Sequence, residues 1–403
     1  MKKKLTSLLL SLGLTLAMLC SLAVPSFAAG DLYAGGSGTK ADPWHIKTVE
    51  QLQNVKENLD GNFVLDNDLD LSSVANWEPL GGYAELGETE FTGTFNGKNH
   101  QISNLTIASV KLIGGGLFGF ISDGGIVKNL KLRDFNIKGC MFAGCLAAMA
   151  EGDGYVKNIT LTGNNNISGI MYIGGILGAA ECRAVKNLTA TANVSMQGVP
   201  VLSQAAGVVI GAVEGPSLIN CHAKGGTVNV NGSATVKSSG AVGAMAGLAS
   251  ESKEVRNCSA ENVTVTVRRC SMVGGLLGHA GTTKGIENVS KRTKISGCTV
   301  KNVKIKADSN CSRIGGLLGS GYYRPLFQSE VNEPAAYYVT NCSVNARIST
   351  AGNTDEMLIG AVAGYAGHNS AVANTKANVK LNGAKMTKLI GATIDEVPAD
   401  QLW

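Results

Sequence analysis

Apolar and polar residues alternate one by one through much of this chain, as in Val263-Thr-Val265-Thr-Val267 and Val303-Lys-Ile305-Lys306. A period of two places one set of side chains inward and the other in solvent, which predicts short half-buried strands. Only one stretch carries a helical pattern. Thr48-Val-Glu-Gln51 has the spacing of a capping box, and Val49, Leu52, Val55 and Leu59 fall along one side of the helix it would start.

The strands belong to a repeat. A five-residue glycine pattern begins at Gly115, Gly174, Gly207, Gly243, Gly274, Gly315 and Gly360, with a degenerate copy at Ala143, so successive starts lie 28, 31, 33, 36, 31, 41 and 45 residues apart. Such periods built from short strands predict a solenoid in which each coil buries its apolar face only against its neighbours. Most glycine motifs are followed, 11 to 13 residues later, by a second signature. Its copies include Val127-Lys-Asn-Leu130, Val156-Lys-Asn-Ile159, Val185-Lys-Asn-Leu188 and Val255-Arg-Asn-Cys258, with glycine replacing asparagine at Gly297. Asparagine and glycine are the residues that tolerate positive φ, so this position predicts a left-handed corner, and stacked corners predict a ladder of asparagine amides. Each unit is therefore expected to hold an alternating strand pair, a short strand through the glycine motif and a corner. That is one turn of a right-handed parallel β-helix, all-β, with a short N-terminal capping helix over its open end.

Cysteine usage follows the same register. Cys221, Cys258, Cys298 and Cys342 take the inward position that Leu130, Ile159 and Leu188 hold in earlier units, and Cys270 and Cys311 each lie four residues before a glycine motif. Stacked in-register side chains run parallel instead of converging, so reduced thiols in the core are expected rather than disulfides. No CxxC pair or cysteine–histidine spacing points to metal ligation.

Lys2, Lys3 and Lys4 precede an apolar run from Leu8 to Leu19, with Ser26 and Ala28 at the spacing of a signal-peptidase site. Residues 1–28 are thus expected to be a secretory signal peptide. Without those lysines the net charge falls from +5 to +2, which argues against a nucleic-acid partner. No later apolar stretch is long enough to span a bilayer, and no membrane anchor is expected in the mature chain. The organisation predicted is a cap with the first coils over 29–110, glycine-motif repeats over 111–383 and a tail over 384–403.

The run Gly36-Ser-Gly-Thr39, Asp42-Pro-Trp44, Asn67-Asp-Leu-Asp-Leu-Ser72, Trp77 and Phe91-Thr-Gly-Thr-Phe-Asn-Gly97 resembles the start of the GLUG-motif proteins. The repeats GLFG at Gly116, GILG at Gly175 and GLLG at Gly275 and Gly316 are similar to the motif that names that family, whereas the copies at Gly207 and Gly243 keep only its glycine spacing. The resemblance spans about residues 30 to 383. It implies a secreted or surface bacterial protein with a pectate-lyase-like β-helix, akin to segments found beside the peptidase domains of IgA-specific metallopeptidases and in adhesin-like proteins.

Catalytic signatures are missing: no HExxH, no GxSxG, and five scattered histidines. No catalytic residue is assigned. Asp66, Asp68 and Asp70 form one acidic cluster that strand alternation would put on one face, the arrangement a calcium ion or a carboxylate pair would need. A solvated or hydrogen-bonded turn in the family's ordinary first-coil pattern is the stronger reading of them, and no cofactor is expected, calcium being the one candidate.

Irregular spacing gives the strongest functional pointer. The Gly274 and Gly315 units take 21 and 24 residues to reach their corners, so two consecutive coils carry long loops at the same place. The first contains Lys291 and Arg292; the second contains Tyr322, Tyr323, Arg324, Phe327, Tyr337 and Tyr338. Loops on a rigid frame commonly carry recognition, and aromatics with arginine are enriched at binding hot spots and stack on sugar rings. The alternative is that these aromatics fold the loop onto the helix side. A secreted, non-enzymatic binding or adhesin-like protein is expected, with an extracellular glycan or a host or cell-surface protein as partner. The rivals are a glycan-active β-helix enzyme, which would need carboxylates assembled across coils in a groove, and a purely structural spacer.

Overall fold

The computed structural model describes residues 32–396 apart from 85–86, 109–112, 198–203, 233–239, 283–287, 321, 324–332, 335, 353 and 394–395. The expected signal peptide lies outside the described residues. The fold is the parallel β-helix. One coil runs through Ile126–Arg133, Asn136–Ala143 and Ala147–Ala150, and each strand pairs in parallel with its counterpart one repeat later, at Tyr155–Thr162, Asn166–Gly174 and Leu177–Ala180. The shortest of the three strands stacks into a nine-stranded sheet ending at Ile390–Thr393. The last rung therefore lies beyond residue 383, inside the stretch expected to be tail.

The corner signature does what its residues allow. Asn129, Asn158, Asn187, Asn220, Asn257 and Asn341 have φ between 53° and 57°, and Gly297 has φ 63°. Amide bonds of 2.8–3.0 Å run from Asn129 to Asn96, Asn158 to Asn129, Asn187 to Asn158 and Asn220 to Asn187. Between corners, Val127, Leu130, Leu132 and their register partners fill one continuous core. The nine described cysteines are all buried and none is in a disulfide, with Cys221, Cys258, Cys298 and Cys342 in that core.

The glycine motif differs from the expected straight strand. In the Gly174 copy the first glycine ends Asn166–Gly174, Gly175 and Ile176 form a bend, and Leu177–Ala180 continues in the second sheet. The motif is thus a sharp bend between two sheets, and its last glycine permits their close approach. A methyl group on Gly178 would stand 2.5 Å from the Ala148 carbonyl oxygen and 2.9 Å from Ala143 N.

The N-terminal end is covered by the helix Val49–Gln53, with the capping box formed between Thr48 and Gln51 and with Leu52 and Val55 fully buried. Aromatic rings continue the cover inward: Tyr33 stacks on Trp44 at 4.8 Å, and Phe91 packs on Phe118 at 4.8 Å. Among the described residues no helix is long and apolar enough to cross a membrane.

Candidate functional site

The long loops leave the frame at one corner. The strands Leu277–Gly281 and Leu318–Ser320 are neighbours, as are Thr293–Ser296 and Tyr337–Thr340 where the chain returns. Thr282 and Ala336 exchange backbone hydrogen bonds of 3.2 and 3.0 Å, which ties the bases of the two loops together. Arg292 is half-buried; its guanidinium lies 4.9 Å from the centre of the Tyr338 ring, and its Nη1 donates to the Asn369 carbonyl at 2.9 Å. One arginine thereby bridges three successive coils. Lys291 is exposed at the end of the short 3-10 turn Val289–Lys291. Tyr322–Tyr323 pairs antiparallel with Glu333–Pro334, so the second loop contains a small hairpin. Arg324 and Phe327 lie outside the described residues.

Tyr337 departs from the expectation that the loop aromatics face a ligand. It is fully buried and its hydroxyl donates to the Tyr365 carbonyl at 3.0 Å, because strand alternation turns it inward where Tyr338 turns out. It anchors the loop to the core. Tyr338 remains a surface residue.

The aspartates share an outer face but do not converge. Asp66 accepts from His45 Nδ1 at 2.7 Å and Lys98 Nζ at 3.2 Å; Asp68 from His100 Nδ1 at 3.2 Å and Gln101 N at 2.9 Å; Asp70 from Asn104 Nδ2 at 2.8 Å and Ser72 N at 2.9 Å. Most of these partners come from the next coil, so the acids staple the first coils together. Burial pushes the Asp66 carboxyl up, but His45 and Lys98 together outweigh it and hold the group below its ordinary value. No set of three or more metal-ligating side chains is gathered among the described residues.

The glycine bend creates a feature that sequence reasoning missed. Phe142, Tyr172, Ala205 and Ala241 alternate with core residues along the strands entering the bend, and Phe120, Met149, Ala179 and Leu248 lie on the strands leaving it. They form a second apolar cluster, separate from the core, in the outer angle of the bend. At the N-terminal rungs this angle opens into a cleft of about 550 Å³. Ile113, Met141 and Met171 form one wall, Phe120, Phe142 and Met149 the floor, and Glu90, Glu151 and Glu181 the rim. Glu181 N donates to the Ala150 carbonyl at 2.7 Å, which sets Glu151 and Glu181 on adjacent rungs, and Ser122 Oγ donates to Glu90. Burial, then the negative charges of Glu214 and Glu151, push the Glu181 carboxyl above its ordinary value. The signal available in the sequence was the recurrence of large apolar residues at Ile113, Met141 and Met171, one position before residues that themselves face outward.

Comparison with known proteins places part of the chain. Residues 37–163 match the M26 IgA1-specific metallo-endopeptidase N-terminal region. Halomucin of Haloquadratum walsbyi is 30% identical over 164 residues, covering 39% of this chain and 2% of halomucin. Immunoglobulin A1 protease of Streptococcus sanguinis is 26% identical over 233 residues, covering 57% of this chain and 12% of the protease. The chain therefore spans a small fraction of the length of these curated relatives. A crystal structure of a candidate immunoglobulin A1 protease from Bacteroides ovatus superposes with a TM-score of 0.49 and 18% identity, covering 93% of this chain and 89% of that one. Over residues 37–163 this chain is related to the N-terminal segment of the IgA1-specific metallopeptidases.

Proposed function

We propose that the protein is an extracellular, adhesin-like binding protein whose paired loops carry recognition. The observation that supports this most directly is the linkage of two long loops on adjacent coils, joined at Thr282 and Ala336 and braced by Arg292 on Tyr338. Tyr322, Tyr323, Arg324 and Phe327 would then supply the contacts to the ligand, and Lys291, Arg292 and Tyr338 the edge of the surface. The chemistry fits an extracellular glycan or a host or cell-surface protein, since aromatic rings stack on sugars and anchor protein interfaces, and arginine supplies directional hydrogen bonds. The leader-like N-terminus and the relation to halomucin and immunoglobulin A1 protease support an extracellular setting. A glycan and host-protein array probed with the chain lacking residues 1–28 tests the reading. Binding should fall when Tyr322, Tyr323 and Arg324 are all replaced by alanine, and undiminished binding would reject the loops as the site.

A glycan-active enzyme is the second reading, favoured by Glu151 and Glu181 on adjacent rungs and by the upward shift of the Glu181 carboxyl, the direction of shift a general acid requires. It is the weaker one, because among the described lining residues Thr89 offers the one side-chain hydroxyl and no side-chain amide, too little to orient a sugar. Release of reducing ends from a polysaccharide panel, lost in Glu181→Gln, would establish it.

A further inference from the structure

The cleft under the glycine bend has a defined length, a defined polarity and an unusual exposure of apolar surface. Ile113 and Met141 expose 38% and 41% of their surface, although most large apolar residues of the chain are buried in the coil. They are register neighbours, since Gly114 pairs with Phe142, and Met171 follows on the next rung through the pairing of Phe142 with Tyr172. On the rung after that the position passes to Gln204, whose amide donates to the Ile170 carbonyl at 2.7 Å and ends the wall. On the floor, Phe120 and Met149 give way to the small Ala179 and Ala212. At the other end Gly82 and Thr89, paired between the strands Gly82–Ala84 and Gly87–Thr89, line the cleft. Three rungs at about 4.8 Å each give a trough of about 14 Å, the span of about four extended residues.

Three carboxylates stand on the rim, and no lysine or arginine is among the described lining residues. Glu214 continues the acidic row on the rung after Glu181, because Ala180 pairs with Val213. Acids stacked at β-sheet spacing repel one another, and a cation laid along the row relieves that repulsion while apolar surface is covered. An anionic lipid surface is repelled by the same row, and a sugar finds few hydrogen-bonding partners on a floor of methionine and phenylalanine. Methionine, unbranched and polarizable, suits a site that accepts varied side chains.

We propose that this cleft docks an extended peptide segment of a partner protein, with a leucine- or phenylalanine-type side chain seated among Met141, Met149, Met171 and Phe142 and flanking lysine or arginine residues at Glu90, Glu151 and Glu181. The site lies on rungs well before the paired loops, so it is a second binding surface, and its test does not depend on what the loops bind.

The test uses fluorescence anisotropy with three labelled pentapeptides: Lys-Leu-Phe-Leu-Lys, its acidic counterpart Glu-Leu-Phe-Leu-Glu, and the apolar-stripped Lys-Ser-Gly-Ser-Lys. Only the first should bind, and binding should weaken as salt is raised. The double variant Glu151→Gln/Glu181→Gln should weaken it by about tenfold or more, and Met141→Ser by several-fold, with circular-dichroism spectra confirming that each variant keeps the β-helix. Tyr322→Ala/Tyr323→Ala should leave it unchanged. Equal binding of all three peptides, or full binding by the double glutamine variant, would overturn the proposal. So would concentration-dependent self-association abolished by Glu181→Gln, which would make a second copy the occupant.

Discussion

The side-chain amide of Asn158 donates to Asn129 Oδ1 at 2.8 Å, while both residues hold left-handed backbone conformations with φ of 57° and 55°. One side chain thus serves two ends, since asparagine tolerates the corner and its amide links that corner to the next. The two contributions can be separated. Asn158→Gly keeps the backbone freedom and loses the rung, whereas Asn158→Ala loses both and adds about 1–2 kcal/mol for the left-handed conformation. Denaturant melts should rank wild type above glycine and glycine above alanine; alanine equal to glycine would show that φ imposes no cost there.

Gly297 is the corner where the asparagine is replaced. A β-carbon on Gly297 would stand 2.6 Å from Asn257 Oδ1, so an added side chain must displace that amide. Gly297→Asn should be close to neutral, because the Asn257 amide sits at the end of a flexible side chain and can turn to accept the new one. Gly297→Val combines β-branching with φ 63° and should destabilise by a few kcal/mol, about the size expected for a strained backbone position. Comparable melts for the two variants would show that positive φ is not what the corner requires.

Reactivity should report the cysteine ladder. Burial pushes Cys140 and Cys182 up to about 11 and Cys311 up to about 12. The nucleophilic thiolate is therefore scarce at neutral pH as well as shielded. Iodoacetamide at pH 8 should leave the nine core cysteines unmodified in the native protein and label all nine in denaturant without prior reduction. A requirement for reductant would reveal disulfides and contradict the stacked geometry.

Positions where one residue type has a single physical use were legible from the chain alone. Asn129, Gly297 and the Thr48–Gln51 box each announce a backbone conformation or a capping bond, and each forms as expected. The glycine motif was misassigned to a strand because Gly174 and Gly178 satisfy strand spacing as well as close approach; that Gly175 and Ile176 turn the chain depends on contacts with the next coil. Tyr337 and Tyr338 are adjacent and chemically alike, so only the pairing register shows which one is buried. The cleft was hidden for a related reason. Met141 lies between the buried Cys140 and Phe142, and it becomes a wall only when Ile113 and Met171 stack on it.

Acid should act oppositely on two carboxylates. Asp66 is held below its ordinary value, so its contribution is present above the unfolded value and is lost as pH falls through the folded one. Glu181 is raised above its ordinary 4.5, so its charge opposes folding at neutral pH, and that penalty disappears as pH falls through the raised value towards 4.5. Asp66→Asn should therefore lower the melting temperature at pH 7 and have little effect in strong acid. Glu181→Gln should raise it at pH 7 and lose that advantage below the ordinary glutamate range. Melts between pH 3 and pH 8, about the span of carboxylate titration, decide both, and shifts of equal sign would contradict the assignment.

Arg292 offers the most direct test of the loop base. Its guanidinium lies over the Tyr338 ring at 4.9 Å, its Nε donates to the Val289 carbonyl at 2.9 Å, and its Nη1 donates to the Asn369 carbonyl at 2.9 Å. These contacts are exposed, so their loss should cost about 0.5–1 kcal/mol in stability. Their loss should matter more to local order, because they join the first loop to the two coils that follow. Arg292→Ala should speed amide hydrogen exchange over residues 288–293 and leave exchange of the buried strand Leu277–Gly281 unchanged. Arg292→Lys should fall between, since an ammonium keeps the charge over the ring but cannot make both carbonyl bonds in the same plane. If the paired loops form the recognition surface, both variants should weaken array binding in that same order. Faster exchange without any loss of binding would show that the arginine braces the loop but that the ligand is held elsewhere.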